Sequence, residues 1–406
     1  MRVLALADDL SGANEVAAAL AALPGAGDVD AHSVQSAQFV PVAVHLVPTA
    51  RPHDDEVVTV VNTDTRRDAA QEAAERLHGI LAAASPGRTI FLKFDSLMRG
   101  HLGVQLREAR RTAPVLFCPA VPELGRTVRD GVLHVGGRPL HESDLWAVEP
   151  CPPAHSIAAQ LAPVPVRHLD LDTVRGDELG EVAVREAADG AVLVCDAEAP
   201  ADLERIAAAG LAGGFVLAGA AGLAAALGRC LHPELGPGGA GAAGDVAPPH
   251  PRRTGVLVAL GTASAAARRQ VQRLESAGVT VHRLRPEQIA GFSLEHEGTV
   301  AVTVDADPDP ALSAAVTAGL TTLVRRHHAD RHLVLSGGET AQAVLGALGI
   351  TRLVPLRQAH PGAVVTATDD GRLVTTRPGS YGGPDSLLEI LTTMQTLQDT
   401  TGKVPS

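Results

Sequence analysis

The chain has 406 residues, 45% of them hydrophobic and 20% charged, with a formal net charge of −12. That length accommodates two or three domains with cores of their own, and so apolar a composition excludes an intrinsically disordered chain. The acidic balance argues against nucleic acid or an anionic membrane as a partner, because both require a surplus of basic side chains.

The N-terminal run MRVLALADDL starts like a signal peptide, but Asp8 and Asp9 interrupt the apolar stretch too early, so a cytoplasmic protein is expected. Strands are predicted at 3–6, 42–46, 57–61, 90–93, 115–118, 191–195 and 215–217, with helical periodicity between them, as at 68–84 and 101–111. That alternation marks βαβ units and a mainly parallel sheet. A hairpin interrupts it, with 132–135 and 138–140 flanking Gly136-Gly137, a two-residue turn suited to positive φ. The uncharged stretch 206–228 is long enough to span a bilayer but is rich in Ala and Gly. It divides into helix end, strand and helix start, and reads as the interior of an α/β domain.

Residues 233–253 are dense in Gly and Pro and read as a linker. Beyond them the rhythm resumes with strand 255–260, a helix from about Ala265, strand 332–335, and a helix from about Thr340. Strands 364–367 and 373–376 then pair around Asp370-Gly371, and a last helix runs from about Pro384. The fold class is therefore α/β: two α/β domains with mainly parallel sheets, 1–232 and 254–406, joined by the linker. Cys118, Cys151, Cys195 and Cys230 stand far apart, so neither a zinc site nor a disulfide framework is indicated, and buried thiols in a reducing cytoplasm are expected. Only two lysines occur, Lys93 and Lys403, and Lys93 ends an apolar run where a surface charge would be odd.

Two phosphate motifs are set aside. Gly239-Ala-Gly241-Ala-Ala-Gly244 fits GxGxxG but lies in Pro-rich sequence with no strand feeding it, and no Walker A sequence occurs. The informative segments follow strands. Asp8-Asp9-Leu10-Ser11-Gly12 follows the first, Asn62-Thr63-Asp64-Thr65-Arg66 the third, and Lys93-Phe94-Asp95-Ser96-Leu97-Met98-Arg99 the fourth. Ligands of open parallel sheets sit beyond the carboxyl ends of strands. Carboxylates there can bind hydroxyls or act as bases, while Arg66, Lys93 and Arg99 can bind a carboxylate. That describes a pocket for a small polyhydroxy acid. In the second half, Gly261-Thr262-Ala263-Ser264, Ser336-Gly337-Gly338-Glu339-Thr340 and the loop 377–385 join strands to helices through glycines whose following N–H groups can cradle phosphate.

On these segments the chain resembles the four-carbon acid sugar kinase family. The family's DDLTGA reads DDLSGA here, its TDSR reads TDTR at 63–66, and its K-x-D-S-T-x-R-G-N reads KFDSLMRGH at 93–101. PAVPELGRTVRDGVLHVGGRPL at 119–140 and the later GTAS, SGGET and PGSYGGPD also match. Leu97 stands where the family has threonine, His101 where it has asparagine, and Thr262 where it has serine. The resemblance implies phosphorylation of threonate, erythronate or 3-oxo-tetronate with ATP. It implies Asp9, Arg66, Lys93, Asp95 and Ser96 as substrate residues, joined by Arg99 from the strand-end reading. It implies Ser264, Gly337, Gly338, Glu339, Thr340 and Gly382 as nucleotide residues. On this expectation Arg66 and Lys93 hold the acid, and Asp9 or Asp95 takes the proton, with the base left open among Asp8, Asp9 and Asp95. Mg²⁺ bridges the ATP phosphates, its protein ligands unassigned. The partners expected are the sugar acid and ATP, with no nucleic acid or membrane, and a homodimer is a possible assembly. The rival readings are a non-catalytic sugar-acid sensor and a nicotinamide-dependent dehydrogenase.

Overall fold

The computed structural model describes residues 1–21, 42–46, 57–84, 86–146, 151–232, 253, 255–262, 264–295, 297–307, 309–379 and 382–401. In chain order the strands are β1 Val3–Ala7, β2 Val42–His45, β3 Val58–Asn62, β4 Thr89–Lys93, β5 Val115–Cys118, β6 Arg126–Arg129, β7 Val132–Val135, β8 Arg138–Pro139, β9 Val166–Leu169, β10 Val192–Cys195 and β11 Val216–Gly219. They continue as β12 Gly255–Leu260, β13 Thr280–Leu284, β14 Val300–Val304, β15 Arg331–Ser336, β16 Arg352–His360, β17 Ala363–Ala367 and β18 Leu373–Arg377. Two compact units result, Met1–Ala22 with Val47–Pro237, and Leu23–Leu46 with Gly238–Ser406.

The first unit holds a parallel sheet in the order β3-β1-β4-β11-β5-β10-β9. Its central strands read as unbroken apolar runs, VLALA in β1 and VLFC in β5, and every residue of both is buried. That is the pattern of a sheet covered by helices on both faces. Phe94 and Phe117 meet edge to face in this core, with ring centroids 6.1 Å apart. The β6-β7-β8 hairpin sheet stands apart from the main sheet and turns at Gly136-Gly137.

The second unit's sheet runs β13-β14-β12-β15-β18-β17-β16-β2. It is parallel from β13 to β18 and antiparallel from there to β2. Val258, Leu260, Val271, Leu274, Val334, Val365, Ile390 and Met394 form its core. Sequence order would count β2 with the N-terminal half, yet it pairs with β16, Leu353 opposite Val44. A four-residue apolar strand carries no mark of its partner, so pattern alone cannot place it.

Residues 206–228 resolve into the end of helix Pro200–Gly213, β11, and helix Ala221–Leu231, as their pattern predicts. Among the described residues no helix is long and apolar enough to cross a membrane. Cys118 and Cys195 are buried as expected, but Cys151 is exposed and Cys230 half-buried. Residues 233–252, with the GxGxxG match, and Ser380 and Tyr381 lie outside the described residues.

Candidate active site

The carboxyl ends of β3, β1 and β4 lie side by side, with Ala7 in register with Asn62 on one flank and Lys93 on the other. The loops leaving them therefore start from one edge of the sheet. Backbone bonds join the first two: Thr63 N–H donates to the Ala7 carbonyl at 2.8 Å, and Thr65 and Arg66 donate to that of Asp8 at 3.1 and 3.2 Å.

Asp9 has extended backbone and caps helix Leu10–Leu20, its Oδ1 accepting from Gly12 N–H at 3.0 Å. Arg66 straddles both aspartates. Its Nε donates to Asp8 Oδ2 at 3.0 Å, and its Nη2 to Asp8 Oδ1 at 2.7 Å and Asp9 Oδ1 at 2.9 Å. The Asp8 side chain is fully buried, whereas that of Asp9 is 21% exposed. Burial raises the Asp8 carboxyl above its ordinary value, against the pull of Arg66. Burial alone would lower Arg66, but the Asp8 and Asp9 carboxylates hold its guanidinium well above the ordinary value.

Lys93 ends β4 with a buried side chain, its ammonium 3.2 Å from Glu15 Oε2 and donating to the Phe94 carbonyl at 3.1 Å. A methyl group at Gly12 would stand 2.6 Å from Asp9 Oδ1 and 3.3 Å from Lys93 Nζ. The missing side chain at Gly12 lets carboxylate and ammonium approach one point. Asp95 is held from four directions. Arg99 donates Nε to Oδ2 and Nη2 to Oδ1, each at 2.7 Å, while the backbone N–H groups of Leu97 and Arg99 reach Oδ2 at 3.1 and 3.4 Å. Burial works to raise Asp95, but Arg99, with Arg66 and Lys93, holds it well below the usual carboxylate range. Ser96 Oγ accepts from Arg126 Nη1, and the Leu97 carbonyl accepts from Trp146 Nε1 at 2.9 Å. Leu97 is buried, and His101 Nε2 lies 2.6 Å from the Asp68 carbonyl.

The structure thus brings Asp8, Asp9, Arg66, Lys93, Asp95, Ser96 and Arg99 to one sheet edge. It also sorts them. Arg66 and Arg99, expected to meet an anion from outside, face Asp8, Asp9 and Asp95. Of the three aspartates, Asp9 keeps an oxygen, Oδ2, without a hydrogen-bond partner among the described residues. Sequence reasoning missed Glu15 and Arg126. Glu15 had a signal, since a lone buried lysine needs a counter-ion. Arg126 lies on a hairpin remote in sequence from these loops, and its one signal was its place in the 119–140 segment that matches the family.

The second unit repeats the arrangement with other chemistry. β12, β15 and β18 end side by side, with Leu260 in register with Ser336 and Ser336 with Arg377. Ser264 caps helix Ala265–Ser276, its Oγ accepting from Ala267 N–H at 3.2 Å. Helix Gly338–Ala347 begins at Gly337, which supplies no side-chain cap, so the first N–H groups face no side-chain acceptor of their own turn. Glu339 lies in that turn, its Oε2 accepting from Ser313 Oγ at 3.0 Å, and Thr340 is buried. The third loop is anchored by the buried Arg377. Its guanidinium donates to Ser386 Oγ at 2.9 Å, Gln270 Oε1 at 2.8 Å, and the Pro378 and Gly379 carbonyls at 3.2 and 3.1 Å. Burial lowers it to about 10. Gly382 has φ +87°, and a methyl group there would stand 2.7 Å from Ser386 Cβ. A cavity of about 370 Å³ lies along the same edge, lined by Arg268, Gln272, Arg283, Thr303, Asp305 and Asp307. The six residues predicted here, Ser264, Gly337, Gly338, Glu339, Thr340 and Gly382, all fall on these three loops or the helix turns they open.

Comparison with known proteins matches each half of the chain to a domain family. Residues 3–227 match the sugar-binding N-terminal domain and residues 257–387 the nucleotide-binding C-terminal domain. A protein of Cupriavidus necator named D-threonate kinase is 31% identical over 95% of this chain and 96% of its own length. A Salmonella typhimurium protein of the same name is 27% identical over 96% and 98%. A Pseudomonas fluorescens protein named 3-oxo-tetronate kinase is 30% identical over 94% of each chain. A solved Haemophilus influenzae structure superposes with a TM-score of 0.71 over 96% of this chain and 99% of its own at 19% identity, a likeness of fold. The chain belongs to the four-carbon acid sugar kinase family, in which a sugar-binding N-terminal domain precedes a nucleotide-binding C-terminal domain.

Proposed function

We propose that this protein is an ATP-dependent kinase that phosphorylates a hydroxyl of a four-carbon sugar acid, threonate, erythronate or 3-oxo-tetronate. The observation that carries the reading is the pairing of two strand-end sites within one chain. One edge holds carboxylates with an open oxygen at Asp9, in the domain that matches a sugar-binding family. The other holds glycine turns and an uncapped helix start, in the domain that matches a nucleotide-binding family. The kinase names of the relatives point the same way, and nothing favours a sensor or a dehydrogenase.

Phosphoryl transfer asks for positioning and charge neutralisation more than covalent chemistry. Asp9 orients the accepting hydroxyl and takes its proton through Oδ2, while Arg66 and the Gly12 N–H fix Oδ1. Asp95 is a weaker base on two counts: its oxygens are engaged, and its affinity for a proton is low. Its part is to hold Arg99 and the 95–99 loop, which presents Ser96 to the substrate. Lys93 keeps the turn at Gly12 in place and offers its ammonium to a substrate oxygen. The N–H groups after Gly337, with Ser264, Thr340 and the Gly382 loop, bind the ATP phosphates.

Magnesium fits the second edge by donor chemistry. Among the described residues no three His, Cys, Asp or Glu gather into a cage. Magnesium commonly needs only one or two carboxylates beside phosphates and water, and Glu339 supplies one. When bound it would neutralise phosphate charge.

The test is ADP formation by the full chain with ATP and Mg²⁺ on D- and L-threonate, D- and L-erythronate and 3-oxo-tetronate. Turnover with one of these acids, and none without acid, is expected. ATP hydrolysis indifferent to every acid would overturn the reading.

A further inference from the structure

The cations on the charged edge of the first unit are matched one by one with carboxylates. Arg66 faces Asp8 and Asp9, Lys93 faces Glu15, and Arg99 faces Asp95. Three cations against four carboxylates leave this set at a formal charge of −1. A sugar acid brings one more negative charge, and none of these cations is in surplus to receive it.

Arg126 stands outside that balance. It opens β6 directly after Gly125, whose left-handed backbone ends the turn Pro122–Leu124, and it is tied to Val121 by two backbone bonds. From there its Nη1 reaches Ser96 Oγ, on the loop that leaves β4. Among the described residues its buried Nε has no hydrogen-bond partner and no carboxylate pairs with it. A buried donor left unpaired is costly unless a ligand takes it up. The side chain is an arginine, whose planar fork matches a carboxylate with two parallel hydrogen bonds. We infer that Arg126, delivered by the hairpin sheet, is the residue that binds the carboxylate of the sugar acid, with Ser96 fixing its guanidinium. The assignment rests on the kinase reading above and gives the specificity for an acid over a neutral sugar to a residue outside the three strand ends.

The experiment is steady-state kinetics of the full chain and its Arg126→Gln and Arg126→Lys variants. It uses the best acid of the panel as substrate and its uncharged carboxamide as competing inhibitor. Arg126→Gln is expected to raise KM for the acid about 30-fold while leaving KM for ATP and the carboxamide inhibition constant unchanged. Arg126→Lys keeps the charge without the fork and recovers part of the loss. Should the glutamine variant not fold, the lysine variant carries the test through the same ratio of acid to carboxamide. Equal weakening of acid and carboxamide would reveal a merely structural clamp on Ser96, and an unchanged acid KM would remove Arg126 from the site. Either result, with the parent chain active on the acid, overturns this assignment alone. Absence of acid-dependent turnover in the parent chain overturns the kinase reading and this assignment with it.

Discussion

The two sheet edges share a plan and differ in what they present. In the first unit the loops leaving β3, β1 and β4 carry ionised side chains locked in pairs, Arg66 with Asp8 and Asp9, and Arg99 with Asp95. In the second, the loops leaving β12, β15 and β18 carry glycines, and among the described residues the fully buried Arg377 is hydrogen-bonded to neutral groups only. The lesson is that strand order fixes where a ligand meets the sheet, while the few residues after each strand fix which ligand. A polyhydroxy acid needs discrete donors and acceptors at set distances. A polyphosphate needs backbone N–H groups and room.

The comparison breaks first at Asp9. Asp9→Asn keeps the size of the side chain but removes the proton acceptor, and kcat should fall by about 10² to 10⁴ while nucleotide affinity stays unchanged. A kcat within a few-fold of the parent would move the base elsewhere. Asp95→Asn should act mainly on folding. It strips Arg99 of its partner and should cost about 3 kcal/mol in chemical denaturation, with a smaller effect on kcat than at Asp9.

Acid should separate the units. Asp95 is held below its ordinary value, so its stabilisation is complete above the usual carboxylate range and is lost progressively as the pH falls from there through its lowered value. His332, in the second unit, is buried, and its Nδ1 accepts from Leu373 N–H at 2.9 Å. Burial lowers it from 6.5 to about 4. The neutral ring's contribution is complete above 6.5 and is lost between there and about 4, where the unfolded chain binds the proton and the folded chain does not. The loss should reach about 2 kcal/mol near pH 5, and His332→Gln should flatten the dependence of Tm on pH in that window. Smallest is Gly382→Ala. Its strained backbone and the crowding against Ser386 should raise KM for ATP about 10-fold and leave KM for the acid alone.

Much of this was legible in the sequence, for a local reason. Short apolar runs stopped by Asp8-Asp9, by Thr63 to Arg66 and by the Asp95 loop mark strand ends, and in a parallel sheet neighbouring strand ends share an edge. The hairpin at Gly136-Gly137 and the β17–β18 pair were legible from their turns. What stayed hidden depends on contacts distant in sequence. The β2–β16 pairing, the engagement of Arg66 and Arg99 by carboxylates, and the reach of Arg126 to Ser96 leave no periodic trace. A charged residue at a strand end looks the same whether it awaits a ligand or already holds a partner.

Calorimetric titration of the full chain with a non-hydrolysable ATP analogue and, separately, with the best four-carbon acid tests the division of labour most directly, in the Asp9→Asn and Gly382→Ala variants. The account predicts that Asp9→Asn weakens the acid and spares the nucleotide, and that Gly382→Ala does the reverse. If either variant weakens both ligands alike, or if acid affinity follows Gly382, the two edges do not divide the chemistry in this way.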